Sequence, residues 1–460
     1  MGIITTVKNF LGMKEEDKDL ITLITEGKID KAKAKFTNRE DIVKKSLEQW
    51  RIADHEIMKR ANKTLKDGTI VESWNLPISY QKKIVQSAVA FLYGKPVKLK
   101  QESEGTDDVF KILTDLRKDM RMAAKDQLNA RQMMSETESA KLFVPYRDSA
   151  ADKTDLTKPN SIKCILLAKS LGDTLHTSFD SFGVLRAFAR EYKVKVGSDD
   201  VTHFDVYMAD NIFLCEKVNG TWNIKTETNL IGKIPIGYYM QDEAEWADVQ
   251  KLIERRESLT SRRADNVDRT GDPILVLEGE VVSLPNAKEV GKVVQLGIGG
   301  KATYLVPQMS IDMVKDEKED LKELIHYLTD TPDLSMDKMT SMGLTSGKAI
   351  EMAFFGCLLK AMGKHGYFEE MVDREINILK AFIGKVMDTS KAGLVDKLNV
   401  SIEFGNPLPD NVDDLITMLS TATGGKPIMS QKTAVAKNPL VSNADEEYTQ
   451  IGEESISTIE

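Results

Sequence analysis

Cysteine is nearly absent: the 460 residues hold only Cys164, Cys215 and Cys357, odd in number and far apart. With no CxxC pair, neither a disulfide framework nor a cysteine-based zinc site is expected, which fits folding in a reducing cytosol. Long apolar runs are missing too. No window approaches the roughly 18 consecutive apolar residues of a membrane span. Residues 1–6 carry no basic stretch leading into a long apolar one, so no signal peptide is expected. They fit a myristoylation pattern only loosely, and a pattern that short arises often by chance. Histidine is scarce: His55, His176, His203, His326 and His365 are scattered, and no Ser or Cys sits in a nucleophile elbow. There is also no surplus of positive charge. A net charge of -9 argues against a chain that grips DNA over its whole surface, because such binding draws its affinity from Lys and Arg releasing counterions.

What is present is enough apolar material, 41%, to bury cores in roughly two to four domain-sized units. The first 140 residues read mainly as helix: a polar one over 46–65, a nearly all-apolar and therefore buried one over 78–93, and a Met-rich one over 107–136. The second stops at Gly94-Lys95-Pro96, where Gly can cap and Pro cannot continue. From 142 to 239 the period turns strand-like, at 163–168, 204–208 and 212–217. Asn219-Gly220 lies between strand-like runs, the strongest short hairpin signal. Gly232-Lys233-Ile234-Pro235-Ile236 reads as an edge strand with a proline.

A charged helix over about 242–268, four short strands within 272–307, and a second charged helix over about 308–329 follow. Such an order predicts an antiparallel helix pair carrying a small β module at its far end. At about 1.5 Å per residue each helix spans roughly 30–40 Å. A Met-, Ser- and Thr-rich loop over 330–346, a long helix over 347–387, a strand at 399–404 and short helices at 410–419 and 430–436 complete the pattern. Residues from 443 onward are acidic and are expected to fray.

The chemical motifs are incomplete. Asp54-His55-Glu56 opens like a zinc-protease helix, but Lys59 stands where the second His would be, so a solvent-facing helix is expected. Gly297-Ile298-Gly299-Gly300-Lys301 lacks phosphate-loop spacing and a following helix, and reads as a hairpin tip. Ser346-Gly347-Lys348 is followed by Ala349 in place of the magnesium-binding hydroxyl. Carboxylate pairs in the charged helices read as solvated or intersubunit faces. The cluster Arg255, Arg256, Arg262 and Arg263 would be a solvated face in a monomer; in a ring it would line a channel or bridge subunits.

Three stretches carry a family resemblance. Residues 84–97 end Phe91-Leu92-Tyr93-Gly94-Lys95-Pro96-Val97. Residues 204–239 run strand, strand, Asn-Gly hairpin with Trp222, then Gly232-Lys233-Ile234-Pro235-Ile236 into the charged helix. Residues 331–361 run from Thr331-Pro332-Asp333-Leu334-Ser335 through Ser346-Gly347-Lys348-Ala349-Ile350 to Leu358-Leu359-Lys360-Ala361. In this order they resemble the portal proteins of long-tailed phages. A weaker fourth stretch, from Ile428-Met429-Ser430-Gln431-Lys432-Thr433-Ala434 to Asn438-Pro439, resembles that family's crown helices. Residues 100–200, the β module and the extreme N-terminus show little match.

The resemblance implies an α+β portal fold, mainly helical, assembled as a homododecamer ring. Residues 1–240 with parts of 347–409 would form the wing, 241–271 and 308–329 the stem, and 272–307 the clip. Residues 330–346 would form the tunnel loop, 347–409 the long helix and returning strand, and 410–460 the crown and tail. Met336, Met339 and Met342, flexible apolar side chains, and the cations Lys338 and Lys348 would face double-stranded DNA. The resemblance also implies a virion protein at the capsid vertex, assembled in the host cytoplasm. It would have no catalytic residues, metal or cofactor. Its partners would be a terminase that carries the ATPase, head-completion or adaptor proteins, and the major capsid and scaffold proteins. A phage-borne nucleic-acid-processing hydrolase and a non-portal capsid or scaffold component are the competing readings.

Overall fold

The computed structural model describes residues 15–64, 66–147, 159–270, 274–283, 295–305, 311–333, 352–408, 412–424, 426–441 and 443–457. It mixes helix and sheet in two units, residues 1–331 with 360–405 and residues 332–359 with 406–460.

The first unit starts with helices α1 (Glu15–Thr25) and α2 (Ile29–Lys33), strand β1 (Thr37–Asn38) and helix α3 (Glu40–Trp50). Next come the short hairpin β2 (Lys63–Thr64) and β3 (Ile70–Val71), then α4 (Tyr80–Tyr93) and β4 (Lys98–Gln101). The reading of 46–65 as helix fails. The chain leaves α3 at Arg51 in an extended conformation and continues in two 3-10 turns, Ile52–Asp54 and Glu56–Lys59.

Helices α5 (Asp107–Asp119) and α6 (Met122–Glu136) replace the single helix expected over 107–136, broken at Arg121 with φ 54°. The break has a packing reason. On one straight helix, Met120 and Met122 would point about 200° apart; here both are buried in one apolar cluster with Leu116, Phe143 and Phe382.

Strands β5 (Glu138–Tyr146) and β6 (Ser161–Leu167) lead into β7 (Thr174–Phe179), β8 (Leu185–Val196), β9 (Asp199–Tyr207), β10 (Asn211–Val218), β11 (Thr221–Thr228) and β12 (Ile236–Met240). They form a six-stranded sheet, β1-β7-β8-β9-β10-β11, and a three-stranded sheet, β12-β5-β6. The Asn219-Gly220 hairpin is present: φ is 49° and 82°, and Val218 pairs with Thr221. Such positive angles match the turn to the twist of the strands. The proline-bearing segment is an edge strand, but the strand proper begins after Pro235, whose carbonyl still accepts from the Phe143 N–H at 2.9 Å.

Residues 242–249, read as helix, form turns, because Trp246 is buried there, stacked 5.6 Å from Trp50 with Nε1 donating to Gln49. Helix α7 (Gln250–Thr270) follows, then β13 (Ile274–Glu278), β14 (Val281–Ser283), β15 (Gln295–Leu296), β16 (Lys301–Leu305) and α8 (Ile311–Leu328). Long helix α9 (Phe355–Phe382), one π turn, α10 (Ala392–Lys397) and β17 (Val400–Glu403) end the first unit, with β17 pairing β4.

In the second unit, α11 (Val412–Thr423) and α12 (Gln431–Lys437) precede α13 (Ala444–Ser457), where fraying was expected. The acidic composition explains α13. Asp445, Glu446 and Glu447 sit in its first turn, where the helix dipole favours carboxylates, and Asn443 accepts from the Glu446 N–H.

Glu138 on β5 gives a testable pH effect. It is buried, and burial pushes its pKa up to about 7, only partly offset by the Tyr238 hydroxyl that donates to it at 2.6 Å. Between pH 4.5 and 7 the unfolded chain releases this proton while the folded chain keeps it, so stability falls as pH rises through that window. Glu138→Gln should therefore stabilise the protein by about 3 kcal/mol at pH 8 and by almost nothing at pH 4. Urea midpoints at the two pH values check it; equal shifts at both would sink the argument.

Candidate functional site

The α7–α8 pair is the element whose chemistry stands out. It is an antiparallel hairpin, level where Arg255 of α7 meets Glu317 of α8 at 2.8 Å. At 21 and 18 residues the helices are about 31 and 27 Å long. Ile253 and Leu259 of α7 and Leu321 and Ile325 of α8 are buried apolar positions, the last two one turn apart on their helix. At the far end, β13 pairs with β16 from Ile274↔Leu305 to Glu278↔Lys301, and β14 pairs with β15. Gly297, Gly299 and Gly300 make the turn between β15 and β16. Gly299 has φ +89°, and a Cβ on Gly300 would meet Leu296 at 2.8 Å, so the glycines serve a tight hairpin turn.

The chain between α3 and α4 lies along α7 as a strap. The backbone N–H groups of Trp74, Leu76 and Ile78 donate to the side chains of Asp265 (2.8 Å), Ser261 (2.9 Å) and Glu257 (2.7 Å). The spacing has a geometric cause. Two extended residues advance about 6.6 Å and four helical residues 6.0 Å. Alternate N–H groups of the strap thus stay level with successive turns of the helix. Pro77, which has no N–H, occupies a position between two donors, where none is needed. Arg60 and Asp265 pair, Trp74 Nε1 donates to Asp268, and His55 Nδ1 meets Glu257 at 2.7 Å. His55 is thus buried. The solvent-facing helix expected around it is corrected to a 3-10 turn folded onto α7.

The four clustered arginines of α7, Arg255, Arg256, Arg262 and Arg263, separate. Arg255 binds Glu317, and Arg256 donates to the Lys318 carbonyl with its guanidinium 5.6 Å from the Tyr80 ring. Both therefore tie the hairpin internally. Arg262 and Arg263 are exposed. Lys318 has its pKa held below the ordinary lysine value by burial and by Arg263 and Arg256 nearby.

At the base, Glu245 is buried yet its carboxyl stays below its ordinary value, since Lys360 (2.9 Å) and Lys364 (3.0 Å) outweigh burial. Lys360 also donates to the Thr329 carbonyl beyond α8 at 2.7 Å, so one turn of α9 fastens the return of the hairpin. Met336, Lys338, Met339, Met342 and Lys348 lie outside the described residues, as does Ser346-Gly347-Lys348. Among the described residues no His, Cys, Asp and Glu group is arranged to hold a metal. No described helix is long and apolar enough to cross a membrane.

A helical hairpin with a β module at its tip is the arrangement the element order predicted. A family model described as phage portal protein, SPP1 Gp6-like, matches residues 28–460. The chain belongs to this family. One curated relative is the portal protein of Bacillus phage SPP1, 24% identical over 237 residues, which are 48% of this chain and 44% of that protein. The chain thus aligns with less than half of that relative's length. Among solved structures, the neck of an empty GTA particle computed with C6 symmetry covers 82% of this chain at TM-score 0.44 and 10% identity, with 90% of that chain covered. The neck of a native GTA particle computed with C12 symmetry covers 78% at TM-score 0.42 and 10% identity, again over 90% of that chain.

Two groups of portal residues escaped the sequence reading. The strap acceptors Glu257, Ser261 and Asp265 carry a signal, polar residues at i, i+4 and i+8 opposite alternate donors around a proline. The buried charges Arg117, Asp126, Lys141 and Glu375 carry none, because they come from four different elements and Glu375 lies far along the chain from the other three.

Proposed function

We propose that this chain is one subunit of the phage portal, a closed ring at the capsid vertex through which double-stranded DNA enters and leaves. The observation that supports it is the family match over 433 of 460 residues, 28–460. In this reading the ring is a dodecamer, α7 and α8 are its stem, the β module is its clip, and residues 330–346 are its tunnel loop. The clip takes the terminase during filling and head-completion or adaptor proteins afterwards, for which its short strands offer edges. Major capsid and scaffold proteins surround the ring in the virion.

A net charge of -9 suits a conduit, since repulsion keeps the duplex off the wall while sparse cations hold it only weakly. Lys338 and Lys348, with Met336, Met339 and Met342, are the proposed DNA-facing residues.

Negative-stain microscopy of the purified chain should show rings with an axial hole; monomers at every concentration would overturn the reading. The double variant Lys338→Glu/Lys348→Glu should form rings in normal yield and package severalfold less DNA. Undiminished packaging would remove both lysines from the DNA path.

A further inference from the structure

We propose that each stem presents complementary faces to its neighbours: the acidic outer face of α8 in one copy receives the basic stripe of α7 from a second copy of this chain. The proposal rests on the ring reading above and adds to it the contact that closes the ring.

The helices differ in charge. Helix α7 has six basic against four acidic residues, and α8 has three basic against six acidic. Burial widens the difference, because Glu257 and Asp265 of α7 are spent on the strap. Arg255 is already held by Glu317, and the other charges α7 exposes are Lys251, Arg262, Arg263 and Asp268; of these, Lys251 and Arg262, at i and i+11, fall on one face. Helix α8 exposes Asp312, Asp316 and Glu319 at i, i+4 and i+7, on a face turned away from its buried Leu321 and Ile325.

Heights agree as well. The helices are antiparallel and Arg255 is level with Glu317, so Lys251 falls near the turn of Glu319 and Arg262 near Asp312. Side-by-side copies related by rotation about an axis along the stem would keep these levels.

The acidic face does not look like a wall for water or DNA. Beside its carboxylates run exposed apolar side chains, Met313 (70% exposed), Leu324 and Tyr327 (79% exposed). Carboxylates flanked by large apolar groups on a helix suit a protein partner. The partner needs a basic helical face at matching spacing, and this chain's own α7 has one. Because the two faces differ, the contact is head-to-tail, the kind that generates rings.

The test uses two variants of the full chain at exposed positions, so folding is spared. Lys251→Glu/Arg262→Glu makes both faces acidic; Asp312→Lys/Asp316→Lys makes both basic. Each alone should lower ring yield by at least about tenfold, measured by mass photometry. An equal mixture should restore rings in which the two variants alternate, since every junction again joins opposite charges. Single variants that assemble like wild type, or a mixture no better than its components, would overturn the stem contact while wild-type rings leave the portal reading intact. A wild type that never forms rings overturns both.

Discussion

Lys141→Met should lower the free energy of unfolding by about 3–5 kcal/mol, the range for removing one partner of a buried ion pair. Lys141 is fully buried on β5, with Asp126 of α6 on its ammonium and Glu375 of α9 at 2.8 Å. Arg117 of α5 closes the group at 3.4 Å from Asp126 and 3.6 Å from Glu375, and the Tyr239 hydroxyl of β12 donates to Glu375. Burial by itself lowers the lysine's pKa; the two carboxylates outweigh that and hold it above the ordinary value.

Two positive and two negative charges therefore balance. Removing Lys141 leaves two buried carboxylates, shielded from bulk solvent, facing one arginine. Urea denaturation at pH 7 checks the loss, and adding Asp126→Asn should recover part of it by restoring the balance. A midpoint that Lys141→Met leaves in place would mean that the cluster contributes nothing net.

Glu257→Ala should cost about 2–5 kcal/mol, because one deletion orphans two partners, the half-buried Ile78 N–H and the buried His55 ring. The effect should be local at first. The strap should detach from α7, exposing its amides, while the six-stranded sheet holds. Hydrogen exchange should then speed up at residues 74–78 before it changes in β8–β10. Ser261→Ala removes a single neutral acceptor and should cost only about 1 kcal/mol. Equal costs for the two would show that the strap does not depend on the paired acceptor at Glu257.

Much of the order of elements was legible because it rests on local patterns. The Asn219-Gly220 turn needs two residues tolerant of positive φ and has them. The strands of the β module and the second charged helix show period and breakers within a few residues of their observed ends, whereas the first charged helix starts at Gln250, well after the expected 242. The failures share a cause. His55 looked solvent-facing because a helix seemed to continue through it, yet Glu257, some 200 residues on, draws it inward. The Asp107–Glu136 stretch looked continuous because no breaker interrupts it; the break at Arg121 serves the burial of Met120 and Met122 in a distant core. The four arginines read as one patch, but Glu317 and the Lys318 carbonyl, opposite them only after α8 folds back, divide them into two that tie the hairpin and two that do not.

By itself, then, the sequence determined the kinds of elements, their order, the hairpin with its β tip and membership in the portal family, because periodicity, turn chemistry and motif order are written in neighbouring residues. Only the tertiary structure decided which charges are buried and paired, which arginines remain outside, and how residues 52–78 run along α7. Those outcomes depend on the side chains that distant segments bring opposite one another, and on the cost of burying a charge without a partner.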